Sequence, residues 1–139
     1  MEFEFEDQPK KEFQELPEEL YTVTITQALL NTSEERPVIN WEFTICDGDF
    51  STRRMWDNFT LTPKNKYFLN RDFLSPLGLT INAASELTAA LTKAMGMKVK
   101  LMREKSDYTN PQKPDKVYYK HTVTELLEKP TVNENEIPF

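Results

Sequence analysis

The chain has 139 residues, one cysteine, one histidine and a formal net charge of −6. This length predicts one domain with arms, and no apolar run approaches the roughly 18 residues of a membrane span. The lone Cys46 excludes an internal disulfide and fits a reducing cytoplasm. With His121 as the lone histidine, we expect no metal and no other cofactor. The acidic first residues are unlike the basic start of a signal peptide.

Acidic residues are concentrated at both ends of the chain. Residues 1–19 carry a net charge of −6 and residues 130–139 a net charge of −2, whereas residues 20–129 carry +2. Within this middle segment, residues 53–71 and residues 98–120 each carry +4. The distribution predicts a folded body at 20–129, a largely mobile acidic arm before it and an acidic tail after it.

Alternating apolar and polar residues predict three strands at the start of the body, at residues 20–30, 38–46 and 52–61. A turn with Asp-Gly joins the second strand to the third. Trp41 and Phe43 lie on the apolar face of the second strand, which assigns both to the core.

The third strand has an unusual outward face. Met55 and Phe59 share one face with Asp57, so Arg54 and Trp56 are predicted to face solvent. A large exposed aromatic ring beside a guanidinium group is uncommon on a surface without a binding role.

A helical segment is predicted to follow the third strand. Residues 63–74 predict a short helix or helical turns. Residues 83–95 predict a clearer helix, with Asn82 as its N-cap and Gly96 as its left-handed stop.

Two further strands are predicted at residues 97–103 and 116–126, with a long loop at 104–115 between them. On the last strand, Tyr118 is predicted to face out and Tyr119 to join the core. Three strands, a helix and two strands is the order of the OB-fold, a five-stranded, partly open barrel. We therefore predict a mainly β, five-stranded OB-fold with its helical insertion between strands 3 and 4. A three-strand meander capped by helices is the alternative.

The last residues form a short acidic stem with an apolar tip, made by Glu134, Glu136, Ile137, Pro138 and Phe139. Three apolar residues after a proline cannot bury themselves. The pattern predicts a docking peptide whose aromatic ring enters a pocket on a partner protein.

Several segments resemble a family of small phage proteins from replication and recombination modules. Its members are similar to single-stranded DNA-binding proteins, and bacterial and phage proteins of that kind end in an acidic run followed by Ile-Pro-Phe or Leu-Pro-Phe. The similar segments are YTVTI at 21–25, INWEFTI at 39–45, LSPLGL at 74–79, MGMKVK at 95–100 and IPF at 137–139. The long acidic arm at 1–19 departs from the pattern. The resemblance implies sequence-independent binding of single-stranded DNA in the host cytoplasm, with a tail that recruits replication or recombination proteins.

Single-stranded DNA is bound by basic side chains on its phosphates and by aromatic rings on its bases. The predicted outward face offers both kinds of residue. We expect stacking by Trp56 and Tyr118, and phosphate contacts by Arg54, Lys98, Lys100 and Lys120. The rim, or a loop that closes over the strand, is predicted to contain Arg53, Arg103, Lys105, Tyr108 and Lys113.

Other interpretations fit the same sequence. The acidic arm or tail could cover the basic surface until DNA displaces it. The acidic termini also fit a non-enzymatic adapter or a DNA-mimicking inhibitor. A DNA mimic, however, should carry its acidic residues on the folded body, and residues 20–129 have a net charge of +2. We expect no enzyme, because Cys46 has only the distant His121 as a base and the acids lie in arms and turns. The pattern is compatible with a homodimer or higher oligomer, and we expect no membrane partner.

Overall fold

A computed structural model of the protein describes residues 15–33 and 35–129. Most of the predicted acidic arm lies outside the described residues. So does the docking tail, with Glu134, Glu136, Ile137, Pro138 and Phe139. Within the described ranges, no helix combines the length and the apolar character needed to cross a membrane.

Five strands form one antiparallel sheet in the spatial order β3-β2-β1-β4-β5. The strands are β1 at Glu19–Asn31, β2 at Val38–Ile45, β3 at Arg54–Thr60, β4 at Lys98–Lys105 and β5 at Tyr119–Glu128. The mainly β architecture with a helical segment between β3 and β4 is confirmed. The last strand begins later than predicted, at Tyr119 instead of residue 116.

The first strand bends the sheet into a barrel-like shape. It pairs with β4 through its first half, from Glu19 to Thr24, and with β2 from Val23 onward. The register shifts just after Ile25, whose carbonyl accepts a 2.7 Å hydrogen bond from the Gly96 amide. Such an irregularity bends a strand, and here it turns β4 and β5 back toward β3. Gly96 has a φ of 88°, which confirms the predicted left-handed stop.

The helical segment packs over one end of this sheet. It consists of α1 at Lys66–Leu69, a π-helical turn at Asn70–Leu74, 3₁₀ turns at Ser75–Leu77 and Ala84–Glu86, and α2 at Leu87–Ala94. The ring of Phe73 stacks on Trp41 with centroids 4.8 Å apart, and Trp41 stacks in turn on Phe43 at 6.0 Å. This aromatic stack fixes the helical segment to β2 and confirms that Trp41 and Phe43 belong to the core.

The predicted N-cap role of Asn82 is wrong. The Glu86 carboxylate accepts hydrogen bonds from the backbone N–H groups of Asn82 and Ala83, at 2.6 and 3.0 Å. The bonds from Ala83 and Asn82 hold the pKa of the Glu86 carboxyl below its ordinary value. Glu86, and not Asn82, satisfies these amides. The chain passes through a 3₁₀ turn at Ala84–Glu86 before the helix, and α2 begins only at Leu87.

The last residues of the predicted arm belong to the folded body. Leu16 is only 4% exposed and joins the hydrophobic core. Its carbonyl accepts a 3.2 Å hydrogen bond from Arg103 Nε, and the carbonyl of Pro17 accepts one of 2.7 Å from the Tyr21 hydroxyl. The body therefore includes residues 15–19, which the charge pattern alone assigned to the arm.

This packing makes a testable prediction about Leu16. Because the side chain is buried, we expect Leu16→Ala to lower the free energy of unfolding by about 2–5 kcal/mol. Leu20→Ala is the matched control, since Leu20 is 49% exposed. Urea denaturation of both variants measures the difference, and equal, small losses would contradict the placement of Leu16 in the core.

Candidate nucleic-acid interface

The two edge strands of the sheet, β3 and β5, face each other across an open seam. They share no backbone ladder within the described ranges. Asp57 on β3 bridges them, because its Oδ2 accepts a 3.1 Å hydrogen bond from the His121 amide and lies 3.0 Å from His121 Nδ1. Inward-pointing polar groups of this kind are one way to protect a sheet edge.

A chain of hydrogen-bonded side chains continues from this bridge, and its two middle members, His121 and Arg103, are buried. His121 Nε2 lies 3.0 Å from Arg103 Nη1. Arginine has donors only, so Nε2 is the acceptor, and Nδ1 is then the ring nitrogen that donates a hydrogen bond to Asp57 Oδ2. Arg103 Nη2 forms an ion pair with Glu15 at 2.5 Å. We call these four residues, Asp57, His121, Arg103 and Glu15, the seam network.

The seam network corrects the predicted position of Arg103. We expected this residue at the rim, yet it is only 6% exposed. Its guanidinium carbon lies 3.8 Å from the ring centroid of Tyr119, and its nitrogens are engaged by Leu16, His121 and Glu15. Arg103 therefore supports the floor of the site and is not an exposed phosphate ligand.

A groove of about 580 Å³ lies along the seam, and we call it the seam groove. It brings together several predicted binding residues with others that were not predicted. Its lining consists of Glu15, Leu16, Arg53, Arg54, Met55, Trp56, Asp57, Asn58, Arg103, Lys116, Val117, Tyr118, Tyr119 and His121. Four of these side chains are basic and two are acidic, so the lining carries a formal charge of +2 with His121 neutral.

One wall of the groove is formed by the outward face of β3. Trp56 is 61% exposed, which confirms its predicted orientation, and Met55 beside it points into the core. Arg54 shares the outward face and contacts Glu42 of β2 at 3.4 Å. Glu42 is the cross-strand partner of Trp56, so the ion pair keeps the guanidinium group on the same side of the sheet as the indole.

The opposite wall is formed by the end of the loop before β5. Tyr118 packs edge-on against Tyr108, with ring centroids 5.3 Å apart. Lys116 Nζ lies 5.0 Å from the centroid of the Tyr118 ring, and Asn110 Nδ2 donates a 3.4 Å hydrogen bond to the Tyr118 hydroxyl. These contacts position an aromatic ring and a basic group across the seam from Trp56.

The predicted lysines of β4 and β5 do not line the seam groove. Lys98 and Lys120 lie opposite Glu128 and Glu104 in the strand pairing. These cross-strand acids weaken the attraction of both lysines for phosphate. The expected continuous basic face is therefore divided.

Lys100 lies in a different hollow. Its Nζ donates a 2.8 Å hydrogen bond to the hydroxyl of Thr22. The hollow, of about 330 Å³, is also lined by Glu19, Asp47 and Asp49. Phosphate is repelled by three carboxylates around one ammonium group, so this surface is unsuited to a DNA backbone.

The remaining predicted residues lie in and beside the loop. Lys105 and Lys113 are exposed, and the Lys105 amide donates a hydrogen bond to Glu18. Tyr119 was expected in the core, but it is half-buried and lines the groove beneath Arg103. The sequence pattern places Lys116 at the start of the last strand and predicts no role for it. The later start of β5 leaves it in the loop, at the edge of the groove.

Comparison with protein-family models and with curated proteins found no match for this chain. The geometry of the seam groove therefore carries the functional assignment.

The seam network makes a prediction for stability. We expect His121→Ala to lower the free energy of unfolding by about 1–3 kcal/mol, because Asp57 and the buried Arg103 each lose a partner. Thr122→Ala is the neighbouring control on the opposite face of β5. Urea denaturation compares the two variants, and a His121→Ala protein as stable as the control would show that the seam network does not hold the strands.

Proposed function

We propose that the chain is a sequence-independent single-stranded DNA-binding protein with an OB-fold body. The observation that carries the proposal is a solvent-exposed indole, Trp56, in a groove of net positive charge with Tyr118 on its other wall. The resemblance to phage single-stranded DNA-binding proteins leads us to place it in phage replication or recombination, in the host cytoplasm.

The strand arrangement supports the OB-fold part of the proposal. An OB-fold is a five-stranded, partly open barrel whose oligonucleotide site involves the face of strands 2 and 3 and the loop between strands 4 and 5. Here the helical segment lies between β3 and β4, and β1 is shared between β2 and β4. The seam groove lies between β3 and the loop that precedes β5, which is the corresponding region.

Binding in this groove would combine stacking with charge. Bases stack on the Trp56 indole and the Tyr118 ring, each stacked base contributing about 1–3 kcal/mol. The phosphates lie near Arg53, Arg54 and Lys116. A duplex keeps its base faces inside the double helix, so only an unpaired strand can use the rings. Release of counterions makes such binding weaker as the salt concentration rises.

The tail adds two functions to this proposal. Its acidic stem competes with DNA for the basic groove, and its Ile-Pro-Phe end binds replication or recombination proteins once DNA has displaced it. Both functions rest on the sequence of residues 131–139, which lie outside the described residues.

Substitution of Trp56 tests the proposal directly. We expect Trp56→Ala to weaken binding to a labelled oligo(dT) by about 5- to 150-fold, the equivalent of 1–3 kcal/mol for one stacked base. Trp56→Phe should keep most of the affinity, since it keeps a ring.

Leu29→Ala is the control for that experiment, because Leu29 is also an exposed apolar residue but does not line the groove. Fluorescence anisotropy at fixed salt provides the measurement. If wild type fails to bind, or if Trp56→Ala binds as well as the control, the proposal is wrong and the adapter interpretation gains support.

Deletion of residues 131–139 tests the role of the tail. We expect tighter binding of oligo(dT) at low salt, because the deletion removes two carboxylates that compete with phosphate. The gain should shrink as salt rises and screens the competition. Unchanged or weaker affinity in the same anisotropy titration would argue against this role.

A further inference from the structure

A second aromatic surface lies outside the seam groove, on α1. Tyr67 and Phe68 are 65% and 45% exposed, and their rings meet edge to face with centroids 5.5 Å apart. The guanidinium carbon of Arg71 lies 5.7 Å from the first ring centroid and 4.8 Å from the second. We call Tyr67, Phe68 and Arg71 the aromatic patch. The helix buries Leu69 instead, so the side chain of Tyr67 stays exposed.

Two lysines lie beside the patch in the sequence. Lys64 and Lys66 precede it, both are exposed, and residues 58–71 contain no acidic residue. Arg71 itself is paired with Asp72 through bonds of 2.7 and 3.1 Å. Arg71 therefore orients the rings. Lys66 Nζ donates a 3.2 Å hydrogen bond to the Asn82 carbonyl, and both lysines contribute positive charge that can attract phosphate.

The patch and the seam groove are connected by β5. A shallow hollow of about 570 Å³ beside the patch is lined by Tyr67, Asn70, Arg71, Ser75, Pro76 and Thr124. Thr124 belongs to the strand whose first residue follows Tyr118. Thr124 lies six positions after Tyr118, so the two tyrosine-lined surfaces are about 20 Å apart at the rise of about 3.3 Å per residue. Lys120 is exposed between them, but its cross-strand partner Glu104 weakens its attraction for phosphate, so the two aromatic surfaces carry the argument.

We propose that the aromatic patch is a second stacking site for the same single strand of DNA. The inference rests on the proposed function and extends it: the strand leaves the seam groove, follows β5 past Lys120, and places a base on Tyr67 or Phe68. Aromatic rings can stack on bases while neighbouring lysines contact the phosphates. The path makes the binding site longer than the seam groove.

Two lengths of oligo(dT) test the inference. A short strand of about four nucleotides occupies the seam groove alone, whereas one of about 16 nucleotides spans both sites, the range known for one OB-fold. We expect the double variant Tyr67→Ala, Phe68→Ala to bind the long strand about tenfold or more weakly than wild type, and the short strand equally well. Trp56→Ala should lose affinity for both lengths.

Controls separate this inference from a folding defect and from failure of the proposed function. The variant Tyr67→Leu, Phe68→Leu keeps apolar packing but lacks rings, so it should show the same length-dependent loss with an unchanged midpoint of thermal unfolding.

If wild type binds both strands and the ring variants match it at both lengths, the inference is wrong and a protein partner is the better occupant. An equal loss at both lengths also overturns it. If wild type binds neither the short nor the long strand, the proposed function is wrong as well.

Discussion

The hydrogen-bonded chain from Asp57 through His121 to Arg103 determines the shape of the site. Strands joined by a backbone ladder lie about 4.8 Å apart. Such a ladder between β3 and β5 would close the barrel and remove the groove. Side chains span the seam instead, so the strands are held together and space remains between them. The edge is thereby protected from pairing with another chain, and the outward face of β3 with Trp56 stays open to a ligand.

The same chain of contacts explains why residues that look like a tail are part of the body. A buried guanidinium group is tolerated only when its donors are satisfied. Arg103 meets this requirement with the Leu16 carbonyl, the Glu15 carboxylate and His121. The N-terminal segment therefore folds across β4 and completes the floor of the groove. This floor holds the aromatic walls in place, which would lower the ordering cost of the proposed DNA binding.

Features that depend on local alternation could be predicted from the sequence, and features that depend on distant partners could not. Period-two patterns placed the strands and turned Trp56 outward, because neighbouring side chains of a strand point to opposite faces. The burial of Arg103 depends on Glu15, which is 88 residues away. The acidic residues opposite Lys98 and Lys120 can be identified only once the register between β4 and β5 is known. The exposure of Tyr67 and Phe68 could not be predicted either, because the segment passes from α to π to 3₁₀ geometry, which breaks a single helical period.

Tryptophan fluorescence of the unmodified chain during titration with oligo(dT) tests the central claim most directly. The chain has two tryptophans, and Trp41 is 1% exposed, so a change on binding reports chiefly on Trp56. Stacking in the seam groove predicts strong, saturable quenching that weakens as salt rises and is absent with a duplex of equal length. Unchanged fluorescence with no detectable binding, or equal quenching by duplex, would contradict a groove that binds unpaired bases.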